Sequence, residues 1–362
     1  MTVRCRRPLV MRCGAMGDMV LLLPLVRTLH ARFGEPVDIV SSGGWTRPLL
    51  AGQPGVGELY LVKSRRRPYL ISPDQWRLVA DLRRRGVGPT WFLDPEGIGA
   101  ALLRRAGIGR SWIVDAEDFP RRPGEHQLER WARVAAAVPE ALAAAPPPAG
   151  EPAVSGAALI VQPAARVELA ALLARHGLEG RRLLLVQAGN KRTMRRGDRQ
   201  RRSNNKYWPE AHWAALLAAM GRRCPEHALV LMGVDSERAL NEDILGALAA
   251  LDPRVRERAR NLAGELPIPR LLALLERADA MAGVDTGPAH AAAALGVPQV
   301  VLFGTADPDY YRPWGAAAAP VACVKGAADA PLAALPPEAA LEAWARLPLR
   351  AAPAGAGEGQ PG

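Results

Sequence analysis

The stretch from residue 284 to 315, VDTGPAHAAAALGVPQVVLFGTADPDYYRPWG, constrains the fold more than any other part of this chain. The apolar run Ala280-Met281-Ala282-Gly283-Val284 reads as a buried strand that stops at Asp285-Thr286-Gly287-Pro288. Pro288 then opens a helix, because its missing N–H is no loss in a first turn. The free amides and the positive dipole end of that helix point at whatever sits above the strand. Thr286 and His290 are four apart and share one helix face near that end. A second buried strand, 298–303, ends in Gly304-Thr305-Ala306-Asp307-Pro308, another tight turn with exposed amides. In an open α/β sheet, ligands bind outside the carboxyl ends of the strands. Both turns lie there, and both are built to hold an anion.

The same alternation runs through the rest of the sequence. Strands are expected at 8–13, 37–41, 59–62, 90–94 and 112–115, with helices at 18–33, 74–85, 96–105 and 125–138 between them. The run AAAPPPAGEP at 143–152 cannot continue a helix and reads as a stiff linker. Beyond it, one helix in 157–180 precedes strands at 183–187, 228–232 and 280–284 and helices at 209–222, 236–250, 269–277 and 338–347. A chain of 362 residues exceeds one ordinary core. The division is therefore a first α/β domain at 1–150, a second α/β domain at 151–348, and a disordered tail at 349–362. Two such halves leave a cleft between them, the default ligand site.

Composition narrows the function classes. A net charge of +11 fits an anionic partner, or simply an arginine-rich surface. The arginines are spread along the whole chain and aromatics make up only 5%, which speaks against nucleic-acid binding. The four cysteines form no C-x-x-C pair and no metal spacing with histidine, so reduced thiols and a cytoplasmic setting are expected. Arg4, Arg6 and Arg7 ahead of the apolar run 19–26 imitate a signal peptide, but Gly14 and Asp18 interrupt it. No run approaches the roughly 20 apolar residues of a membrane span. The expected protein is soluble, touching the inner membrane surface at most peripherally.

Three further features carry chemistry. Gly14-Ala-Met-Gly17-Asp18 follows the first strand, where two glycines let a ligand approach the backbone. Asp18 is then either a plain helix cap or a carboxylate aimed at a ligand. The loop is not G-x-G-x-x-G, and no P-loop is present. A basic loop from Asn190 to Pro209 follows the first strand of the second half, with Lys206 just before a helix N-terminus. Lysine and free amides together suit a phosphate, whereas Arg192 to Arg202 read more readily as a solvated loop than as phosphate contacts. Glu237, after the 228–232 strand, suits a ribose hydroxyl or the helix dipole. His290 alone reads as a packed helix histidine.

Taken in order, these motifs resemble the bacterial heptosyltransferases, glycosyltransferase family nine. They are Gly17-Asp18, Lys206-Tyr-Trp-Pro209, Asn261-Leu-Ala-Gly264, Asp285-Thr-Gly-Pro-Ala-His290 and Phe303-Gly304-x-x-Asp307-Pro308. His126, in Glu125-His-Gln-Leu-Glu-Arg130, resembles a helix opening of the same family. The resemblance implies two Rossmann-like domains facing across a cleft, the GT-B fold, and an inverting transfer of heptose from ADP-heptose to a lipopolysaccharide-core acceptor. Another nucleotide sugar, or a protein or metabolite acceptor, is the alternative. The resemblance makes Asp18 the catalytic base and places Asn190, Lys206, Glu237, Leu266, Asp285, Thr286, Gly287, Pro288 and His290 on the donor. Leu266 falls where the family contacts adenine. Gly17, Arg65, Arg66 and Arg67 are the acceptor-side candidates, suited to an anionic glycolipid. No metal or other cofactor is required. The chain departs from the family at 191–205, where the resemblance implies a short turn and a basic insertion stands instead.

Overall fold

The computed structural model describes residues 7–63, 68–94, 98–148, 154–190, 201, 203–327 and 330–350. It divides into two compact units, Met1–Ile160 and Val161–Gly362. The proline-rich stretch is not itself the border. Residues just after it belong to the first unit, because the backbone N–H and carbonyl of Ile160 both bond the Gln53 side chain (2.8 and 2.9 Å). Arg27 also donates to the Ala158 carbonyl there, at 2.5 Å.

The first unit is built on five parallel strands: β1 (Leu9–Met11), β2 (Val37–Ser41), β3 (Val56–Leu61), β4 (Thr90–Phe92) and β5 (Ile113–Asp115). Their order is β3-β2-β1-β4-β5, so β1 is central and the topology reverses beside it. Strand periodicity sorts the core by face. Leu9, Met11, Val40 and Phe92 cluster with Leu78, Leu82, Leu102 and Leu103 from helices Pro73–Arg85 and Ile98–Arg105. Trp91, fully buried, points the other way and donates its indole N–H to the Val134 carbonyl in helix Gln127–Ala136 (3.0 Å). The helix expected at 18–33 is two pieces, Met16–Val20 and Leu23–Phe33. Pro24 explains the break, since it has no N–H for the Val20 carbonyl four residues back.

The second unit holds six parallel strands: β6 (Arg182–Gln187), β7 (His227–Leu231), β8 (Ala259–Asn261), β9 (Ala280–Val284), β10 (Gln299–Phe303) and β11 (Val321–Lys325). The order is β11-β10-β9-β6-β7-β8. The chain starts at β6, walks out to β8, then returns to β9 on the other side. The switch point therefore lies between β6 and β9, where Leu185 pairs with Met281. One face of the sheet is covered by helices Glu210–Arg223, Arg238–Leu251 and Pro337–Arg346, which supply Trp213, Leu217, Ile244, Leu248 and Trp344 to a single core. At the end of the described chain, Arg350 donates to the carbonyls of Glu276 and Leu295, so residue 350 packs on the unit. The remainder of the expected tail, 351–362, lies outside the described residues. No helix among the described residues is long and apolar enough to cross a membrane.

Candidate functional site

In the second unit, the loops after β6 and β9 open at the switch point, the place where a doubly wound sheet takes its ligand. The β9 loop delivers Asp285 and Thr286 to the start of helix Gly287–Ala294. Thr286 is the N-cap residue, in extended conformation, but its hydroxyl turns back to the Val284 carbonyl (3.0 Å) rather than capping the helix. Among the described residues, the backbone amides of Thr286 and Gly287 donate to no protein acceptor. Thr286, Gly287 and Pro288 are half-exposed and stand at the positive end of the helix.

Lys206 comes to this turn from 79 residues upstream in the sequence. Its Nζ donates to Asp285 Oδ2 and to the Asp285 carbonyl, each at 2.6 Å. The opposite carboxylate oxygen, Oδ1, lies 3.6 Å from His290 Nε2. Burial opposes ionisation of Asp285, but the His290 bond and the Lys206 charge outweigh it and hold the carboxyl at about 2. Asp285 is thus an anion whose charge is already balanced. Two of the three N–H donors of Lys206 are spent on it, and the third remains for a ligand.

The lysine is held in place by its neighbours. Trp208 is fully buried and donates Nε1–H to the Leu335 carbonyl (2.8 Å). It meets Trp213 edge to face at 4.9 Å, which anchors the start of helix Glu210–Arg223. On the other side, Asn204 Oδ1 accepts from the Lys206 backbone N–H (3.0 Å), and the Asn204 amide donates to Asn190 Oδ1 (3.3 Å). Asn205 Nδ2 donates to Thr305 Oγ1 (2.9 Å), and its carbonyl accepts from Leu332 N–H (3.2 Å). That same carbonyl presses on Gly304, where any Cβ would collide with it. Gly304 therefore stands after β10 to let the lysine segment lie against the second turn.

In the first unit, the loop after β1 places Asp18 in the first turn of helix Met16–Val20. Its Oδ2 accepts from the Ala15 backbone N–H (2.7 Å) and its Oδ1 from the Arg12 guanidinium (3.0 Å). Arg12 is itself fixed by the Leu93 carbonyl (2.9 Å) and lies 4.0 Å from Asp94. Asp18 is 30% exposed. Each oxygen keeps a lone pair beyond the bond it accepts. The side chain of Asp18 also fills the space above Gly14, where a Cβ would lie 2.5 Å from the Asp18 Cβ. The glycine thus makes room for the aspartate.

Comparison with known proteins bears on this geometry. The family model described as glycosyltransferase family 9 (heptosyltransferase) matches residues 196–329, the span that holds Lys206, Glu237, Asp285 and His290. The chain is 36% identical over 111 residues to lipopolysaccharide heptosyltransferase 3 of Escherichia coli, which is 30% of this chain and 30% of that protein. The match to this curated relative thus spans about a third of its length. Two solved structures extend the likeness to nearly the whole fold. ADP-heptose lps heptosyltransferase II of E. coli superposes with TM-score 0.66 at 22% identity, covering 94% of this chain and 97% of that one. A family 9 glycosyl transferase of Veillonella parvula gives 0.73 at 16% identity, with 95% and 98% covered. Residues 196–329 of this chain are thus similar to glycosyltransferase family 9, and the whole chain shares the fold of two of its solved members.

The fold, of GT-B type, brings some of the sequence candidates together and leaves others apart. Lys206, Asp285, Thr286, Gly287, Pro288 and His290 share one turn, with Asn190 joined to it through Asn204. Glu237 sits under the β7 loop instead. It is buried, with Oε2 accepting from the Val234 N–H (2.8 Å) and Oε1 from Gln187 Nε2 (3.2 Å). Burial raises its carboxyl to about 7. Leu266 is half-exposed beyond the Asn261 segment. Asn261 itself ties β8 to helix Arg238–Leu251 through bonds to Asn241 and to the Arg238 carbonyl. His126 caps helix Gln127–Ala136, accepting from Leu128 N–H (3.2 Å), and is buried. Gly17 is buried within its helix. Arg65, Arg66 and Arg67 lie outside the described residues, as does the insertion except for 201 and 203–205.

Three contacts at or near the candidate site are not legible in the sequence. The lysine–aspartate pair spans 79 residues, and nothing local marks it. Arg12, within the expected first strand, pairs with Asp18. Arg201, expected in a solvated loop, is instead buried and paired to Glu210 and to Asp243 (2.7 Å), fastening the insertion's end to two helices. The acidic residues at helix positions 210 and 243 were the available signal.

Proposed function

We propose that this protein is an inverting heptosyltransferase that moves heptose from ADP-heptose to a lipopolysaccharide-core acceptor. The observation that carries the reading is the pairing of Lys206 with two unpartnered helix N-terminal amides at the switch point of the second sheet. That is the donor set a diphosphate needs. The names of the similar proteins support the same reading: both heptosyltransferases described above are named for lipopolysaccharide, and one for ADP-heptose.

The chemistry follows from the residues. A sugar hydroxyl is a poor nucleophile at neutral pH, and Asp18 accepts its proton as it attacks the anomeric carbon. Attack from the side opposite the leaving group inverts that carbon. The departing ADP gains negative charge, which the third N–H of Lys206 and the amides of Thr286 and Gly287 stabilise. Because Asp285 neutralises Lys206, the pair positions the diphosphate rather than attracting it from afar. Long-range attraction comes from the net charge of +11. Leu266 offers apolar contact to the adenine, and Glu237 accepts from a ribose hydroxyl when the β7 loop admits it.

A coupled assay of ADP release from ADP-heptose, with and without a lipopolysaccharide-core acceptor, tests this. Acceptor-dependent release with an inverted anomeric centre is expected. Release only from another nucleotide sugar would reject the donor assignment.

A further inference from the structure

The first unit carries an apolar surface that its core does not explain. After β3 ends at Leu61, the chain forms a 3-10 turn, Tyr69–Ile71, before entering helix Pro73–Arg85. Leu70 is 81% exposed and Ile71 65%, and Trp76, one turn into the helix, is 45% exposed. Isolated exposed leucines need no explanation, but three large apolar side chains on one seven-residue segment form a patch. The patch is rigid. Trp76 Nε1–H donates to the Tyr69 carbonyl (2.6 Å), Ser72 Oγ donates to the Pro68 carbonyl (3.0 Å), and Lys63 N–H donates to Asp74 Oδ2 (2.9 Å). A turn fixed in this way holds its apolar tips outward at little further entropic cost.

The charges around it have one dominant sign. The Arg105 guanidinium lies 4.3 Å from the Tyr69 ring centre, and Arg83 donates to the Arg105 carbonyl (3.0 and 2.8 Å). Lys63, Arg77, Arg84 and Arg104 are exposed on the same elements. Against these cations stand Asp74 and Asp81, the latter paired with Arg84. Apolar tips and an indole with cations around them match the boundary of an anionic bilayer, where arginine stems lie along the apolar layer and the heads meet phosphate.

We propose that the Tyr69–Ile71 turn and Trp76 seat this unit on an anionic lipid surface, with Leu70 and Ile71 entering the headgroup–acyl boundary. The placement has a consequence within the unit. The segment leaves β3 at the carboxyl edge of the parallel sheet, the edge that also carries the Asp18 loop, with β3 two strands from β1. That separation is roughly 10 Å. An acceptor held in the membrane would meet the edge on which Asp18 stands. The proposal rests on the surface itself and does not depend on the transferase reading.

The test is co-sedimentation of the full-length protein with vesicles of phosphatidylcholine alone or with phosphatidylglycerol, for wild type and Leu70→Ser/Ile71→Ser. Both positions are exposed, so the fold is expected to be retained, and thermal melting checks this. Wild type should bind the anionic vesicles and lose most of that binding in high salt. The double variant should bind them at least about tenfold more weakly. Arg105→Gln, which keeps the apolar tips, should weaken binding by a smaller factor, roughly two- to fivefold. Absence of wild-type binding, or equal binding by the double variant, would overturn the proposal. So would a wild-type dimer that dissociates in the double variant while vesicle binding is unchanged, since the patch would then be a self-association surface.

Discussion

Replacing Lys206 by Met and Asp285 by Asn, singly and together, separates what this pair does for the fold from what it does for a ligand. Lys206→Met removes the ammonium and leaves the Asp285 carboxylate, about a tenth exposed, facing only His290. A carboxyl held at about 2 against an ordinary 3.8 corresponds to roughly 2–3 kcal/mol favouring the ionised form. That is the net after burial's opposing cost, so the His290 and Lys206 contributions together exceed it, and losing the lysine should cost at least about 1–2 kcal/mol. For a unit of this size that is a fall in Tm of roughly 2–8 °C. The double variant, with no charge left unpaired, should recover most of it. Affinity for ADP should behave differently. A charge-assisted hydrogen bond to phosphate contributes about 1.5–3 kcal/mol, so Lys206→Met should weaken ADP binding roughly 10- to 150-fold, and the double variant should stay equally weak. Calorimetric titration with ADP and thermal melting of the four proteins read both quantities. The pH dependence gives a further check. Because folding depresses this carboxyl, its stabilisation is complete above about 3.8 and is lost as pH falls toward 2, so the gap between wild type and Asp285→Asn should close there. A double variant that regains ADP affinity, or a Lys206→Met protein that binds ADP like wild type, would refute the reasoning.

Other expectations follow from neighbouring contacts. Asp18→Asn keeps an oxygen for the Ala15 amide, so it should melt within about 1 kcal/mol of wild type and bind ADP normally, yet lose transfer by roughly 100-fold or more; retained turnover would remove the base from the mechanism. Gly304→Ala drives a methyl group into the Asn205 carbonyl and should cost about 1–3 kcal/mol while weakening ADP binding through the displaced lysine, readable in one thermal titration. Glu237 is raised from 4.5 to about 7, so its ionisation penalises the fold increasingly as pH climbs through that window; Glu237→Gln should flatten this part of the Tm–pH profile.

Much of this could be read from the sequence because the strand–turn–helix signals are local. The β9 strand matches the expected 280–284 run residue for residue, since five apolar residues meet a turn that only a helix start can follow. Other boundaries depended on partners far along the chain. Strands β8 and β11 are the two edges of the second sheet, and β8 is only three residues long, too short for a periodic signal. The first helix looked continuous because Met19 to Val26 is uniformly apolar, and the proline within it was the discriminating residue. At the site, turn chemistry identified Asp285 to His290, but the charge state of that turn was invisible until Lys206 and His290 were placed around the carboxylate. Gly304 illustrates the same limit: its presence in a turn was evident, whereas its reason, the Asn205 carbonyl, lies 99 residues earlier.

The central claim is that the second unit holds the diphosphate of an adenine nucleotide sugar at the Lys206–Thr286–Gly287 turn. Calorimetric titration of the intact protein with ADP, UDP and GDP at one salt concentration tests it most directly. The account predicts that ADP binds at least about tenfold more tightly than either of the others, and that Lys206→Met abolishes most of that affinity. Preference for UDP or GDP, or ADP binding indifferent to Lys206, would contradict it.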